Sequence, residues 1–487
     1  MDSLPAREQQ DRPSTVQPLS AFRKTSIRAI QRGRRFLVAI WRWGFRFVRS
    51  HWPHAKWIAT KEGIIAVVLL GILIALVSEV GRNVVVIDAF SVPKRIEEDG
   101  YSPAVIANQL ADSIADLREQ AGRFAHDHPQ FALSSEAMLP DVQVAETKVS
   151  LNGIVEYLRR ILGKEHATVD GAISVPSQGT APRAEWPDPA AHLLITVRVR
   201  KGGTLRRYKH IEVPASDLAG GLLQAAHEIL ATLDPLVLAV SYHAKGNATE
   251  AAGLAQRCSH DRNKRYAAKC YVMQGALLVD KGTPEDYQRA VAMFEAALRL
   301  DNALPQAMID QGVAYQRLNR FPAALTMFAK AERAIKDDPD LLAAVHVNRG
   351  LVFARQHDLP KAIAAYEQAT RVDPMHALAY NNWCDDLIVQ ARFSEARPIC
   401  QQAIDADPQF AMGYATFGEL LAKEDQMTEA YAMFRRATDL DPRLIAAWLA
   451  WGEALTSHGR AQEAQGIYRE GLQRNPNDQR MIARLTP

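Results

Sequence analysis

The C-terminal half of this 487-residue chain repeats itself with a period of about 34 residues, and this period constrains the fold more than any other feature. A small residue stands at the same place in four successive units, at Gly350, Cys384, Gly418 and Gly452. An alanine follows each at the same spacing, and each unit closes with a proline that follows Asp or Asn. Proline disfavours helical geometry in the residue before it, so it marks the end of a unit. The period predicts stacked helix pairs that bury a continuous core only together.

The pattern resembles the tetratricopeptide repeat, over about six units between Arg265 and Asp478. In such repeats, small residues let two antiparallel helices approach closely, and an aromatic side chain fills the gap to the next pair. The resemblance implies an all-α solenoid over residues 265–487 and a role in protein binding. One unit departs from the pattern, because Cys384 replaces its glycine and Cys400 replaces its aromatic residue.

The resemblance also implies a peptide-binding groove lined by the first helix of each pair. By the resemblance, the second, fifth, sixth, ninth, twelfth and thirteenth positions of a repeat face this groove, where Gly350, Cys384, Gly418 and Gly452 count as the eighth. These positions hold Asp310, Arg317, Asn348, Arg355, Asn381, Asn382, Asp385, Glu419, Lys423 and Glu453. Amides at equivalent positions, such as Asn348 and Asn382, could hold an extended peptide backbone; a merely solvated polar face is the alternative. Asp385 and Glu419 oppose a basic clamp for a peptide carboxylate, for which Arg355 is the main cation and Arg349 the other candidate.

The end of the chain is short for a solenoid. Only about eleven residues follow Pro476, whereas a stack of repeats normally needs a capping element with a polar outer face. We therefore expect the last unit to leave an apolar edge, open to self-association or to a partner.

The other end of the chain is strongly basic. Residues 1–61 hold thirteen Lys and Arg against three acids, a net charge of +10, so the total of +3 leaves −7 for the remainder. Residues 63–78 carry no charge. Counted from Ile58, the apolar segment is long enough to span a bilayer as a helix. This predicts a transmembrane helix over 58–81, with a buried core helix as the alternative. The excess of cations before it predicts a cytoplasmic N-terminus and a periplasmic C-terminus in the inner membrane.

The basic arm, residues 1–57, also mixes aromatic residues with arginines over 36–48. This mixture is typical of a helix lying in an anionic leaflet, so we expect residues 36–81 to contact the membrane. Nucleic-acid binding is the competing interpretation, which we set aside because no nucleic-acid-binding module accompanies the patch.

Residues 82–235 lack the period and predict a small α+β domain. Val84–Ile87 has the composition of a buried strand, Ser102-Pro103 begins a helix, and the glycines after Lys201 join two strands in a hairpin. A third helix follows at Leu218–Leu233, and another is expected around 154–161. The Pro-rich stretch 176–189 predicts a surface loop. The segment 87–93 resembles the membrane-proximal part of bacterial membrane-anchored repeat proteins. Residues 236–264 are either a degenerate repeat or a linker.

Catalytic signatures are missing from the sequence. It contains no phosphate-binding loop, zinc-binding helix or nucleophile elbow, and His126-Asp127-His128 lacks a third metal ligand. We therefore expect no enzyme, no cofactor and no metal. The four cysteines all lie on the side predicted to be oxidising, which suggests the pairs Cys258–Cys270 and Cys384–Cys400. The alternative is that they serve as small apolar residues.

The sequence as a whole predicts a membrane-anchored periplasmic scaffold that binds proteins or peptides through its repeats. The alternative is an envelope sensor or regulator that binds a ligand through the 82–235 domain.

Overall fold

The computed structural model describes a sheet domain followed by a stack of helix pairs. The described residues are 84–122, 130–133, 155, 159, 166–175, 192–201 and 203–485. The predicted arm 1–57, the membrane helix 58–81, the histidines at 126 and 128 and the loop 176–189 lie outside them, as does most of the helix expected around 154–161. Among the helices of the described part, none is both long and apolar enough to cross a bilayer.

Five described strands form one mixed sheet. Strand β1 (Val84–Ile87) lies between β2 (Gln130–Leu133) and β3 (Ala167–Ser174) and runs parallel to both. Strand β4 (His192–Lys201) pairs antiparallel with β3 and, through the predicted hairpin, with β5 (Thr204–Pro214). The sequence predicts β1, β4 and β5 from β-branched and alternating residues, whereas β2 and β3 were not predicted.

Three helices complete the sheet domain: α1 (Lys94–Glu98), α2 (Pro103–Gln120) and α3 (Leu218–Leu233). The predicted helix starts are confirmed. The Ser102 hydroxyl accepts a hydrogen bond from a backbone N–H in the first turn of α2, and the Asp217 carboxylate does the same for α3. Each cap satisfies a donor that the helix itself leaves unpaired. Helix α3 packs on β4, β5 and α2, and together they bury the core of this domain.

A helix pair joins the sheet domain to the repeats. Helices α4 (Pro235–Ala244) and α5 (Ala248–Cys258) pack on each other, and their apolar residues continue the core of the sheet domain. Cys258 at the end of α5 is bonded to Cys270 in the next helix, with their Cα atoms 5.8 Å apart. Residues 236–264, predicted as a degenerate repeat or a linker, are thus mostly helical. They are joined to the sheet domain by a shared core and to repeat one by the disulfide.

Six helix pairs follow, which we number as repeats one to six. Their helices are α6 (Lys264–Val279) and α7 (Pro284–Leu300), α8 (Pro305–Arg317) and α9 (Phe321–Ala334), α10 (Pro339–Arg355) and α11 (Leu359–Val372), α12 (Ala377–Val389) and α13 (Phe393–Ala406), α14 (Ala411–Lys423) and α15 (Met427–Leu440), and α16 (Ile445–Ser457) and α17 (Ala461–Arg474). Each pair packs internally and against the next pair, as the sequence period predicts.

In five repeats a glycine on the first helix faces an aromatic ring on the second. The pairs are Gly275 with Phe294, Gly312 with Phe328, Gly350 with Tyr366, Gly418 with Phe434, and Gly452 with Tyr468. A Cβ atom on any of these glycines would lie only 2.2–2.8 Å from the ring, so no larger residue fits there. Some rings also reach the next repeat, since Phe434 stacks on Trp451 with ring centroids 6.3 Å apart. Close helix approach and ring packing therefore depend on the same two positions.

A short helix, α18 (Gln479–Leu485), closes the stack after repeat six. Its Met481 is fully buried, and a Cβ atom on Gly471 would lie 2.7 Å from the Met481 sulfur. The expectation of an open apolar edge was therefore wrong. Met481 joins the core that repeat six shares with the repeats before it, and no large apolar side chain of repeat six is exposed within the described part of the chain.

Candidate binding groove

The first helices of the repeats line one continuous face of the stack, which we call the groove. Each of α8, α10, α12, α14 and α16 contacts the first helix of the repeat before it, in addition to its own partner. All ten predicted groove residues lie on these helices. Asp310 and Arg317 are on α8, Asn348 and Arg355 on α10, Asn381, Asn382 and Asp385 on α12, Glu419 and Lys423 on α14, and Glu453 on α16.

Two of the ten donate side-chain hydrogen bonds to backbone carbonyls. The Asn348 side-chain amide donates to the Ala344 carbonyl one turn earlier, at 2.8 Å. The Arg355 guanidinium donates to the Gln316 carbonyl at 3.1 Å and to the Asn319 side chain at 3.0 Å, which ties repeat three to the helix turn of repeat two. Arg355 is therefore committed to the turn, and the basic clamp for a peptide carboxylate loses its main cation.

Asn381 is the most deeply buried polar side chain of the ten. It is only 5% exposed, and its Oδ1 atom has no hydrogen-bond partner among the described residues. It lies one turn before Asp385, so both side chains are on the same face of α12. A buried amide oxygen without a donor costs roughly 1–3 kcal/mol, a cost that a bound donor would remove.

Carboxylates occupy the ninth position of three successive repeats, at Asp385, Glu419 and Glu453. Burial raises the pKa of Asp385 above its usual range, even though the side chain keeps access to solvent. Burial also raises the pKa of Glu419, and the neighbouring charges of Asp385 and Glu453 raise it further, whereas Lys423 lowers it. Glu419 thus lies between two carboxylates whose charges disfavour its own ionisation.

Two further carboxyl groups on the first helices are held in low-dielectric surroundings. Burial raises the pKa of Asp310 to about 7, against a hydrogen bond that the Gln306 amide donates at 2.8 Å. Burial raises the pKa of Asp386 to about 6, with the Tyr366 hydroxyl next to it and Asp385 one residue before it. The groove is therefore rich in hydrogen-bond acceptors, especially in repeats four and five.

The tetratricopeptide repeat family model matches residues 284–339 and 347–411. These residues form tetratricopeptide repeats.

Similar solved structures include a thermophilic tetratricopeptide repeat protein of Thermus thermophilus, which is 20% identical, with 37% of this chain and 97% of that chain covered and a TM-score of 0.33. YrrB, described as a tetratricopeptide repeat protein with an unusual peptide-binding site, is 23% identical, with 41% and 98% covered and a TM-score of 0.28. A tetratricopeptide repeat protein from Parabacteroides merdae ATCC 43184 is 13% identical, with 52% and 96% covered and a TM-score of 0.40. No curated protein matches the chain.

The sheet domain contributes to the N-terminal end of the groove, which the sequence did not predict. A cleft of about 790 Å³ lies between the end of α2, the first helices of repeats one and two, and the start of α10. Its wall includes Lys269 and Gln306, which occupy the second position of their tetratricopeptide repeats, together with Gln120 of α2. The repeat pattern identifies groove positions only within the repeats. It therefore gives no information about residues of the sheet domain, such as Gln120, that line the same cleft.

Arg484 of the capping helix is a second residue that the sequence did not reveal. Its guanidinium donates to the Glu453 carboxylate at 2.5 Å. Arg484 lies 31 positions after Glu453, and this spacing joins the ninth position of one repeat to the first helix that follows the repeat. The spacing is visible in the sequence, but it predicts a contact only once a helix is known to follow repeat six.

Proposed function

We propose that this protein is a membrane-anchored scaffold whose repeats bind extended segments of other proteins outside the cytoplasm. The groove carries the proposal, because successive first helices present polar side chains along one face. A buried amide oxygen without a donor among the described residues, on Asn381, is what a peptide N–H or a cationic side chain would satisfy. Binding through such a surface needs no catalytic group, and we propose no enzymatic activity.

The membrane location rests on the sequence. The uncharged stretch 63–78, with thirteen cations before it and two disulfide-bonded cysteine pairs after it, supports an anchor with the repeats on the oxidising side. A C-terminal alkaline phosphatase fusion tests this orientation, since the enzyme is active only outside the cytoplasm. A well-expressed but inactive fusion would refute it.

Site-specific photo-crosslinking in intact membranes tests the scaffold function. A crosslinking amino acid replaces Asn382 on groove helix α12, and a matched variant carries it at the exposed Gln402 on second helix α13. We expect polypeptides other than the chain itself to be captured from position 382 and not from position 402. Capture of the chain alone, or equal capture from both positions, would contradict a scaffold that works through the groove.

A second candidate function is ligand sensing by the sheet domain. A cleft of about 800 Å³ lies between β5, α3 and α5, and its walls include Arg207, His227 and Arg257. Burial and the nearby Lys245 lower the pKa of His227, and the Glu228 charge partly opposes them. This cleft favours a polar small molecule. Sensing predicts that alanine substitution of Arg257 abolishes a cellular response while the crosslinks from position 382 are retained.

A further inference from the structure

One ninth-position carboxylate of the groove already has a cation, and the structure shows how it is supplied. Glu453 on α16 accepts a hydrogen bond from Arg484, which lies 31 positions later on α18, the helix that follows repeat six. This places a guanidinium from the next helix of the stack directly against the ninth-position acid. The contact is an example, within the chain itself, of cation binding at this register.

The same register lacks a cation in the two preceding repeats. Arg484 lies 31 positions after Glu453. At the same distance, Thr416 follows Asp385 and Ala450 follows Glu419. Neither can donate an ionic hydrogen bond, and neither Asp385 nor Glu419 takes part in an ion pair within the described part of the chain. The charge of Lys423 acts on Glu419, but Lys423 lies one turn along the same helix and is exposed. Two sites equivalent to the Glu453 site are therefore open.

Asn381 provides independent evidence that this part of the groove accepts a donor. Its side chain is buried, its Oδ1 atom has no partner among the described residues, and it lies one turn from Asp385 on α12. A carboxylate and an amide oxygen on one face can both accept from a single planar guanidinium, or from an ammonium group and the peptide N–H beside it. Because both groups are acceptors, a ligand that satisfies them must supply donors.

We propose that Asp385, Glu419 and Asn381 form a binding site for the Arg or Lys side chains of an extended segment of another protein. Arg484 shows the mode of contact, and a cationic segment would extend that contact to repeats four and five. The negative charge of residues 62–487, −7 in total, attracts the same class of partner over longer distances. This inference rests on the proposed groove function and specifies its partner as cationic.

Fluorescence anisotropy with the full chain in detergent tests the proposal. The probe is a fluorescein-labelled peptide of repeating Gly-Ser-Arg, compared with matched Gly-Ser-Gln and Gly-Ser-Glu peptides. We expect the Arg peptide to bind, and D385N/E419Q to weaken it about tenfold, because two partly exposed ion pairs together amount to about 1.4 kcal/mol. The control E429Q/D439N removes the same charge from exposed positions of α15 and should leave binding unchanged.

Ala450→Arg provides a second variant that keeps both carboxylates. It places a cation at the position equivalent to Arg484, next to Glu419, and should weaken the Arg peptide through competition for that acid. Retention of the helix signal shows that a variant is folded. Equal loss of binding in D385N/E419Q and E429Q/D439N would mean general charge attraction and would overturn the proposal.

Two other outcomes would also overturn it while leaving the scaffold function testable. If the Arg peptide does not bind but crosslinks from position 382 persist, the groove binds a different class of partner. If the chain self-associates in detergent and D385N/E419Q abolishes the association, the basic arm of a second copy is the occupant. Absence of both peptide binding and crosslinks would remove the scaffold function as well.

Discussion

Repeats four and five have the same two helices but hold them together in different ways. In repeat five, Gly418 lies against the ring of Phe434, which is fully buried. In repeat four, the same two positions hold Cys384 and Cys400, which are bonded to each other with their Cα atoms 5.3 Å apart. One repeat therefore depends on ring packing, and the other on a covalent bond between its helices.

Repeat four also departs from repeat five in ways that weaken it locally. Pro398 lies inside α13, where repeat five has Ala432, and it removes a backbone hydrogen bond from the helix. Ala391 adopts a left-handed φ of 55°, where repeat five has Asp425 with a φ of 64°. This geometry costs alanine more than aspartate, whose short polar side chain tolerates it. Asp386 occupies the position of the fully buried Leu420. We infer that the disulfide offsets these costs, because it restricts the unfolded chain whatever the local packing.

The comparison also bears on the groove. Repeat four, with these locally unfavourable residues, also carries Asn381 and Asp385, the acceptors to which we assign a cationic partner. Functional sites are where proteins commonly break local folding rules. A covalent bond in this repeat allows polar residues on its first helix without loss of the fold.

The largest effect is expected in the repeat that depends on packing. Phe434→Ala removes a fully buried ring between repeats five and six and should lower the free energy of unfolding by about 3–5 kcal/mol. Urea unfolding followed by the helix signal measures this. The loss should be the same with and without reductant, because the chain's disulfides lie in other pairs. A loss below about 1 kcal/mol, the size typical of an average substitution, would show that the ring is not what holds repeat five together.

A smaller loss is expected when the bond of repeat four is removed. The two cysteines are separated by 16 positions in the chain. C384S/C400S should lower the free energy of unfolding by about 3 kcal/mol, the value expected for a bond that closes a loop of this size. Restoring the pattern of repeat five with C384G/C400F should recover much of that loss and make repeat four insensitive to reductant. The variant C258S/C270S separates the contribution of the other disulfide. If C384G/C400F is no more stable than C384S/C400S, the two ways of joining the helices are not interchangeable.

The helix pairs could be predicted from the sequence because each repeat carries its own signals: a small residue, an alanine, an aromatic residue and a proline at fixed spacing. Strand β3 could not, because Gly171 stands at one of its buried positions and Asp170 is a residue type that strands disfavour. The Asp170 carboxylate is satisfied only by Arg198 and Arg200 on β4, which become neighbours after folding. The capping helix was missed for the same reason, since the burial of Met481 depends on space beside Gly471. The groove positions followed from the register. The buried Asn381 oxygen, without a partner in the described part of the chain, and the contact of Arg484 with Glu453 could be seen only in the folded chain.

Asp386 should make repeat four sensitive to pH. Burial raises the pKa of this carboxyl to about 6, above its value in the unfolded chain, so the folded state favours the protonated form. Its contribution to stability is therefore lost as the pH rises from about 4 through about 6. Asp386→Asn should match the wild type at about pH 4 and exceed it by about 1 kcal/mol above pH 7, a value reduced from the full linkage because the side chain is partly open to solvent.

Urea midpoints at the two pH values measure this difference. Asp405→Asn on α13 is the matched control, because Asp405 is exposed and accepts a hydrogen bond from Gln401 on its own helix. A gain for Asp386→Asn that is equal at both pH values would assign the effect to packing and not to ionisation.

The smallest effect tests the turn between the two helices of repeat four. Ala391 and Gly459 occupy equivalent turn positions in repeats four and six, with φ values of 55° and 75°. Glycine adopts this geometry without a steric penalty, whereas alanine pays roughly 1 kcal/mol for it. Ala391→Gly should therefore raise the free energy of unfolding by about 1 kcal/mol, and Gly459→Ala should lower it by a similar amount.

The two substitutions are mirror images, so each is the control of the other. Equal and opposite shifts in the urea midpoint would show that the turn of repeat four carries a strain that repeat six avoids. If Ala391→Gly gives no gain while Gly459→Ala gives a loss, the turn of repeat four is supported by contacts absent from repeat six.

The two turns share several contacts. The backbone hydrogen bond that Arg392 donates to the Leu387 carbonyl has an equivalent in repeat six, where Arg460 donates to the Leu455 carbonyl. The ion pair of Arg392 with Glu395 has a counterpart in repeat six as well, between Arg460 and Glu463. Arg460 also donates a hydrogen bond to the Tyr431 hydroxyl, a contact that neither substitution changes. The cost of the left-handed φ is therefore what each substitution tests.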